Sequence, residues 1–131
     1  MLFDSRLRCQ CGGRRGGDGL LIIGAMRRFF EHYDYVIMPT AQVMPFDVDL
    51  HWPGEVAGRK MQTYHEWMKG TFVITMSGCP ALAVPAGFSA AGLPIGMQVV
   101  APLHHEADCL QLGYAYDIAA QPSRRLPPLI A

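Results

Sequence analysis

Apolar residues recur at helical spacing from Leu20 to His32. Leu21, Ile22, Ala25, Met26, Phe29 and Phe30 share one face, with Arg27, Arg28 and Glu31 on the wet side, so an amphipathic helix is expected. The period then changes. "YDYVIMPT" (Tyr33–Thr40) holds a near-continuous apolar run over Tyr35–Met38 and stops at Pro39. That pattern suits a strand covered on both faces, as in a central α/β sheet. No period survives in Ala41–Lys60, which carries two prolines and two glycines and reads as a long irregular connection.

"MQTYHEWMKG" (Met61–Gly70) is expected to be helical, continuing with a break to Ser77, with Tyr64, Trp67 and Met68 on one face as packing residues. Gly78 can end that helix in the left-handed conformation, and Pro80 cannot extend it. "ALAVPAGF" (Ala81–Phe88) reads as a strand whose Pro85 calls for an edge position or a bulge. "SAAG" turns the chain, and Leu93–Pro102 returns as the partner strand. A further amphipathic helix follows in "HHEADCLQLGYAYDIAA", with Ala107, Leu110, Gly113, Tyr114 and Ile118 on one side. The fold class is therefore α/β: a partial mixed β-sheet flanked by helices.

Composition sharpens this picture. Half of the 131 residues are hydrophobic and only 17% are charged, against about 25% in ordinary soluble domains. A small chain has much surface to cover, so this one is expected either to bury apolar area against something else or to be sticky. Eleven basic and eleven acidic residues cancel, which argues against nucleic acid or an anionic membrane as partner. No apolar run approaches the roughly 18 residues of a membrane span. The Arg- and Gly-rich residues 1–19 do not form a signal peptide and read as a disordered or foreign leader. A cytoplasmic location is the expectation, and the four cysteines form no secretory framework.

A search for autonomous chemistry finds none. The serines are Ser5, Ser77, Ser89 and Ser123, and the lysines are Lys60 and Lys69. No Ser-x-x-Lys spacing and no Gly-x-Ser-x-Gly elbow joins them. Cys79 stands at a helix carboxyl end, where the dipole disfavours a thiolate, and reads as a packing residue. His65-Glu66 lacks the second histidine of a zinc helix, and adjacent His104 and His105 point to different faces. Cys9 and Cys11, one residue apart, are poorly placed to share a zinc ion. No phosphate-binding glycine loop is present. No catalytic residue, metal or cofactor is expected from the chain itself.

"YDYVIMPT", "PF" with a Trp-Pro loop, "TYHEWM", "SGCPALAVPAGF", "GLPIGMQVVAP" and "LQLGYAYD" occur in the order found in the amidase signature family, whose carboxy-terminal portion residues 33–120 resemble. The "TYHEWM" and "GCPALAVPAGF" pieces look more like general bacterial amidases than like the subunit that amidates glutamyl-tRNA, which often carries Asn where this chain has Thr75. The resemblance implies a large mixed sheet wrapped by helices and a Ser–Ser–Lys triad hydrolysing an amide C–N bond through an acyl-enzyme. All three triad residues would lie in parts with no counterpart here. Residues 20–131 would then be the C-terminal segment of such a domain, supplying sheet scaffold and pocket wall and inactive alone. Thr40, Gln42, Phe46 and Trp67 are the candidate substrate-pocket residues, for a small-molecule amide in the full-length parent. The rival expectation is a non-catalytic module that dimerises or docks through an exposed apolar sheet.

Overall fold

A computed structural model describes residues 17–124; of the leader expected over residues 1–19, residues 1–16 lie outside them. Helix α1 (Gly17–Phe30) begins three residues before the apolar pattern placed it. Strand β1 (Val36–Pro39) follows, then a two-residue ribbon of β2 (Glu55–Val56) and β3 (Arg59–Lys60). Helix α2 (Lys69–Ser77), strands β4 (Ala81–Phe88) and β5 (Pro94–Val100), and helix α3 (Glu106–Ala120) complete the order before a short 3-10 turn at Pro122–Arg124.

Three strands form one antiparallel sheet in the order β1-β5-β4. Gln98 at its centre pairs with Met38 on one side and Ala83 on the other. Thr71, Ile74 and Thr75 of α2 face Ala81, Ala83 and Gln98 across one face of the sheet. On the opposite face, Gly113 of α3 meets Leu82 and Val84. The result is helix, sheet, helix, and the buried residues Ile74, Val99, Val100, Ala101 and Cys109 lie along that seam. Helix α1 packs outside α2, where the Met76 side chain covers Gly19.

The punctuation of the hairpin performs as its residues predict. Gly78 adopts φ 71° at the end of α2, and its N–H donates to Thr75 O. Pro85 lies on the outer strand, and the register slips between Pro85 and Gly87, an extra residue that absorbs the missing N–H. Ser89 closes the turn by accepting the Leu93 N–H on Oγ at 3.1 Å.

Four expectations change. Residues 61–68 form turns, and the helix begins only at Lys69. A short helix rich in aromatic and polar residues is marginal alone. Here Tyr64 and Trp67 are drawn into ring contacts with the preceding loop. That loop is not wholly irregular, because Ala57 (φ 49°) and Gly58 (φ 77°) make a tight hairpin between β2 and β3. Strand β1 is an edge of the described sheet, with Ile37 47% exposed, and not a central strand.

Of the face expected to pack, only Gly113 does; helix α3 is turned so that Cys109 joins it. Cys109 and Gly113 are buried, while Leu110, Tyr114 and Ile118 are 62%, 71% and 57% exposed. The physical reason is distance: small residues let the helix approach the sheet until Leu82 fills the notch above Gly113. The larger trio would hold it off.

Candidate ligand cleft

The chain turns from β1 into the loop at Thr40, whose N–H donates to Gly96 O at 3.1 Å and extends the ladder by one residue. Gly96 lets the two approach, since a Cβ at that position would lie 3.0 Å from Thr40 Oγ1, tighter than ordinary contact. Thr71 Oγ1 donates to the Thr40 carbonyl at 2.7 Å, tying the strand end to the first turn of α2. Two residues on, Gln42 Oε1 accepts the Gly70 N–H. Met68, the N-cap residue, supplies no side-chain cap, so Gln42 satisfies one of the helix's orphan donors from a distance.

Between α2 and the sheet lies a cleft of about 260 Å³ lined by Thr40, Thr71, Ile74, Thr75, Cys79, Ala81, Ala83 and Gln98. No charged residue lines it. Most of its polar groups are committed. Thr75 Oγ1 donates to Thr71 O at 3.1 Å, and Gln98 Nε2 donates to Pro39 O at 3.4 Å. Thr40 Oγ1 is buried and has no partner among the described residues. A buried hydroxyl without a partner costs about 1–3 kcal/mol, which marks it as the polar group open to a ligand.

The four residues singled out from the sequence fall into two groups. Thr40 lines the cleft and Gln42 caps α2 beside it. Phe46 and Trp67 instead meet edge to face at 5.5 Å, outside the cleft lining. Trp67 also contacts Tyr64 at 5.9 Å, and Tyr64 contacts Trp52 at 6.3 Å, so the loop carries an aromatic chain. The Trp67 indole Nε1 is the second buried donor without a partner among the described residues.

The cleft residues missed in the sequence are Thr71, Thr75 and Gln98. Gln98 carried a signal, as the lone polar residue in the apolar run of β5. Thr71 and Thr75 stand one turn apart on a helix whose start was misplaced.

Ser77 is committed within the end of α2. It is buried, donates to Ile74 O at 2.6 Å and accepts the Cys79 N–H at 3.1 Å. Burial raises the Cys109 thiol above its ordinary value, and the carboxylates of Asp108 and Glu106 add to the shift. The Tyr35 hydroxyl is raised as well, by desolvation and then by Asp108, and it donates to the Asp108 carbonyl at 3.4 Å. Among the described residues no three His, Cys, Asp or Glu side chains are grouped to hold a metal, and no helix is long and apolar enough to cross a membrane.

The geometry is that of a helix-flanked sheet with an uncharged cleft at one helix–strand seam. A family model described as Amidase matches residues 18–110, and the chain belongs to the amidase family. It is 34% identical over 110 residues to a glutamyl-tRNA(Gln) amidotransferase subunit of Thermodesulfovibrio yellowstonii, covering 84% of this chain and 21% of that protein. The corresponding amidotransferase subunit of Moorella thermoacetica is 38% identical over 100 residues, covering 76% of this chain and 19% of the relative. The chain thus spans about a fifth of the length of these curated relatives.

Among solved structures, a bacterial aryl acylamidase of the amidase signature family superposes with a TM-score of 0.73 at 26% identity, over 82% of this chain and 23% of its own. A 6-aminohexanoate cyclic dimer hydrolase matches with the same score and identity, over 87% of this chain and 25% of its own.

Proposed function

We propose that this chain is the C-terminal segment of an amidase, a hydrolase of amide C–N bonds, in which it supplies sheet scaffold and one wall of the acyl pocket. The observation that carries the reading is the uncharged cleft with the unpartnered Thr40 hydroxyl, in a chain that corresponds to only a fifth of its relatives. The parent reaction would be acyl transfer from an amide to water, with lysine relaying protons through a bridging serine to a nucleophilic serine. Those three residues would stand outside this chain, which alone would be inactive and would need no metal or cofactor.

An uncharged cleft favours a neutral small-molecule amide, and the balanced charge gives no basic excess for nucleic acid or an anionic membrane. Thr75 lines the cleft, at the position where the tRNA-amidating subunit often carries Asn, so we place the parent among the hydrolases. We place it in the cytoplasm, because the spacing of its four cysteines does not suggest a secretory disulfide framework.

The test is a graft. The 110 residues of this chain that align with the Thermodesulfovibrio amidotransferase subunit replace their counterpart there, and hydrolysis of simple neutral amides is measured. Turnover by the graft that falls about tenfold in the near-isosteric Thr40→Val variant, on loss of one hydrogen bond to the substrate, is the expected result. The isolated chain should hydrolyse neither amides nor esters. Turnover by it that survives mutation of Ser77 and Cys79 would show a nucleophile of its own and sink the reading.

A second reading, a non-catalytic module that self-associates or docks on a longer homologue, is favoured by the exposed apolar face of α3. Size-exclusion chromatography with light scattering separates the two, since a monomer with low dye binding is incompatible with a sticky module.

A further inference from the structure

Helix α3 is seated on the sheet by one side only. Cys109 and Gly113 face inward, and the far side carries Leu110, Tyr114 and Ile118, each more than half exposed. The three stand four residues apart, so they form one ridge along the helix. The row beside that ridge, at the same spacing, is Gln111, Ala115 and Ala119, also exposed. Two of its members are small, so this row is a groove. Ridge and groove lie side by side on one surface.

Such a surface is complementary to itself. Seating an i±4 ridge in the groove beside the i±4 ridge of another helix is the commonest way two helices pack, and a two-fold axis seats both ridges at once. One antiparallel register satisfies every pair. Tyr114 lies on Ala115 of the second copy, Leu110 on its Ala119 and Ile118 on its Gln111. The same register sets Glu106, the charged residue that begins the ridge, opposite the turn at Pro122–Arg124, whose Arg124 is exposed. A parallel pair would instead bring the two Glu106 carboxylates together. An apolar centre with charged ends differs from an interior helix, which is apolar all round, and matches the core and rim of an interface. Eleven basic and eleven acidic residues leave no net charge to hold copies apart.

We infer that the outer face of α3 docks a second copy of this chain, in an antiparallel two-fold pair of helices centred on Tyr114 and Ala115. This rests on the self-association reading, to which it gives a surface and a geometry, and it is independent of hydrolysis. The 15 residues of α3 make a helix of about 22 Å. One face of that length buries less than the roughly 800 Å² per partner of a stable complex. The pair is therefore reversible, formed at high concentration and lost on dilution.

Sedimentation velocity on the full chain over a dilution series reads the monomer–dimer equilibrium, and circular dichroism checks that each variant folds. A dimer that dissociates on dilution is expected. Ile118→Glu should weaken it about tenfold or more, because it buries a charge in the seam. Ala115→Leu should weaken it as well, since it fills the groove even while adding apolar area. Glu106→Arg and Arg124→Glu should each weaken it about two- to fivefold, and the two together should restore it.

A monomer at every concentration would overturn the assignment. So would a dimer indifferent to Ile118→Glu, which would leave self-association standing but move it to another surface. Association strengthened by Ala115→Leu, or a mass that climbs past two copies, would mean unspecific sticking in place of a fitted pair. If the double charge swap does not restore the dimer, the antiparallel register is wrong and the pairing falls with it.

Discussion

The sandwich of β1, α2, β4, β5 and α3 and the connection from residue 41 to 68 both carry many apolar residues, yet they are held in different ways. In the sandwich, small residues permit close approach. Gly96 lies under Thr40, Gly113 over Leu82, and Val100 and Ala101 are fully enclosed. In the connection, large rings meet edge to face while remaining partly in water: Phe46, Trp52 and Tyr64 are 39%, 37% and 46% exposed. The buried indole N–H of Trp67 finds no partner among the described residues. Interdigitation of many small contacts gives a unit that fails all at once. A chain of ring pairs worth about 0.5–1.5 kcal/mol each gives one that loosens locally.

The sharpest way to break the comparison is a charge in the sandwich. Val100 is fully buried between β4 and β1, so Val100→Asp strands an unpaired carboxylate at a cost of about 4 kcal/mol or more. With total stabilities of roughly 5–15 kcal/mol, circular dichroism and urea titration should show the whole chain unfolded or close to it. Trp67→Ala removes the edge-to-face partner of both Phe46 and Tyr64. With two ring pairs lost, it should cost about 1–3 kcal/mol, and the cost should be local. Limited proteolysis would then cut faster within residues 41–68 while amide exchange of Val99 and Val100 stays slow. If the two variants lower the stability of both regions equally, the connection is part of the same cooperative unit and the distinction fails.

Legibility in the sequence follows the same division. The β4–β5 hairpin was readable because glycine and proline constrain the backbone locally: Gly78 and Pro85 each do in space what their chemistry requires in isolation. The helix expected over Met61–Gly70 was misread because Tyr64 and Trp67 answer to Trp52 and Phe46, residues of a distant loop. Periodicity registers neighbours four residues apart and is blind to partners twenty away. The inward face of α3 was misread for a related reason. Hydropathy favours Leu110, Tyr114 and Ile118, but packing distance favours Cys109 and Gly113, and only the sheet beneath decides. Thr40 and Gln42 were picked by resemblance. Their roles against Gly96 and Gly70 depend on contacts 56 and 28 residues along the chain, which no local pattern encodes.

The smallest effect is a pH dependence, and its sign separates a sandwich residue from an exposed one. Cys109 is 3% exposed, with its Sγ 3.5 Å from Pro80 O and 3.7 Å from Val99 O. Burial first, and the neighbouring carboxylates second, hold its thiol above the ordinary value, partly opposed by a backbone hydrogen bond from Ala101. A raised value means that the folded state favours the neutral thiol. That stability is fully present below the unfolded thiol's ordinary value, about 8.5, and is lost as pH climbs through the folded one. Urea midpoints of the wild-type chain should therefore fall on the alkaline side. In Cys109→Ala the midpoint at pH 7 drops by the equivalent of about 1 kcal/mol, through lost packing and a lost weak donor, but the alkaline decline flattens. It should not vanish, because the Tyr35 hydroxyl is raised too and donates to the backbone beside Cys109. Tyr35→Phe in the same background should remove part of what remains. An alkaline limb identical in wild type and Cys109→Ala would mean that the thiol reaches water more readily than its place between α3 and the sheet allows.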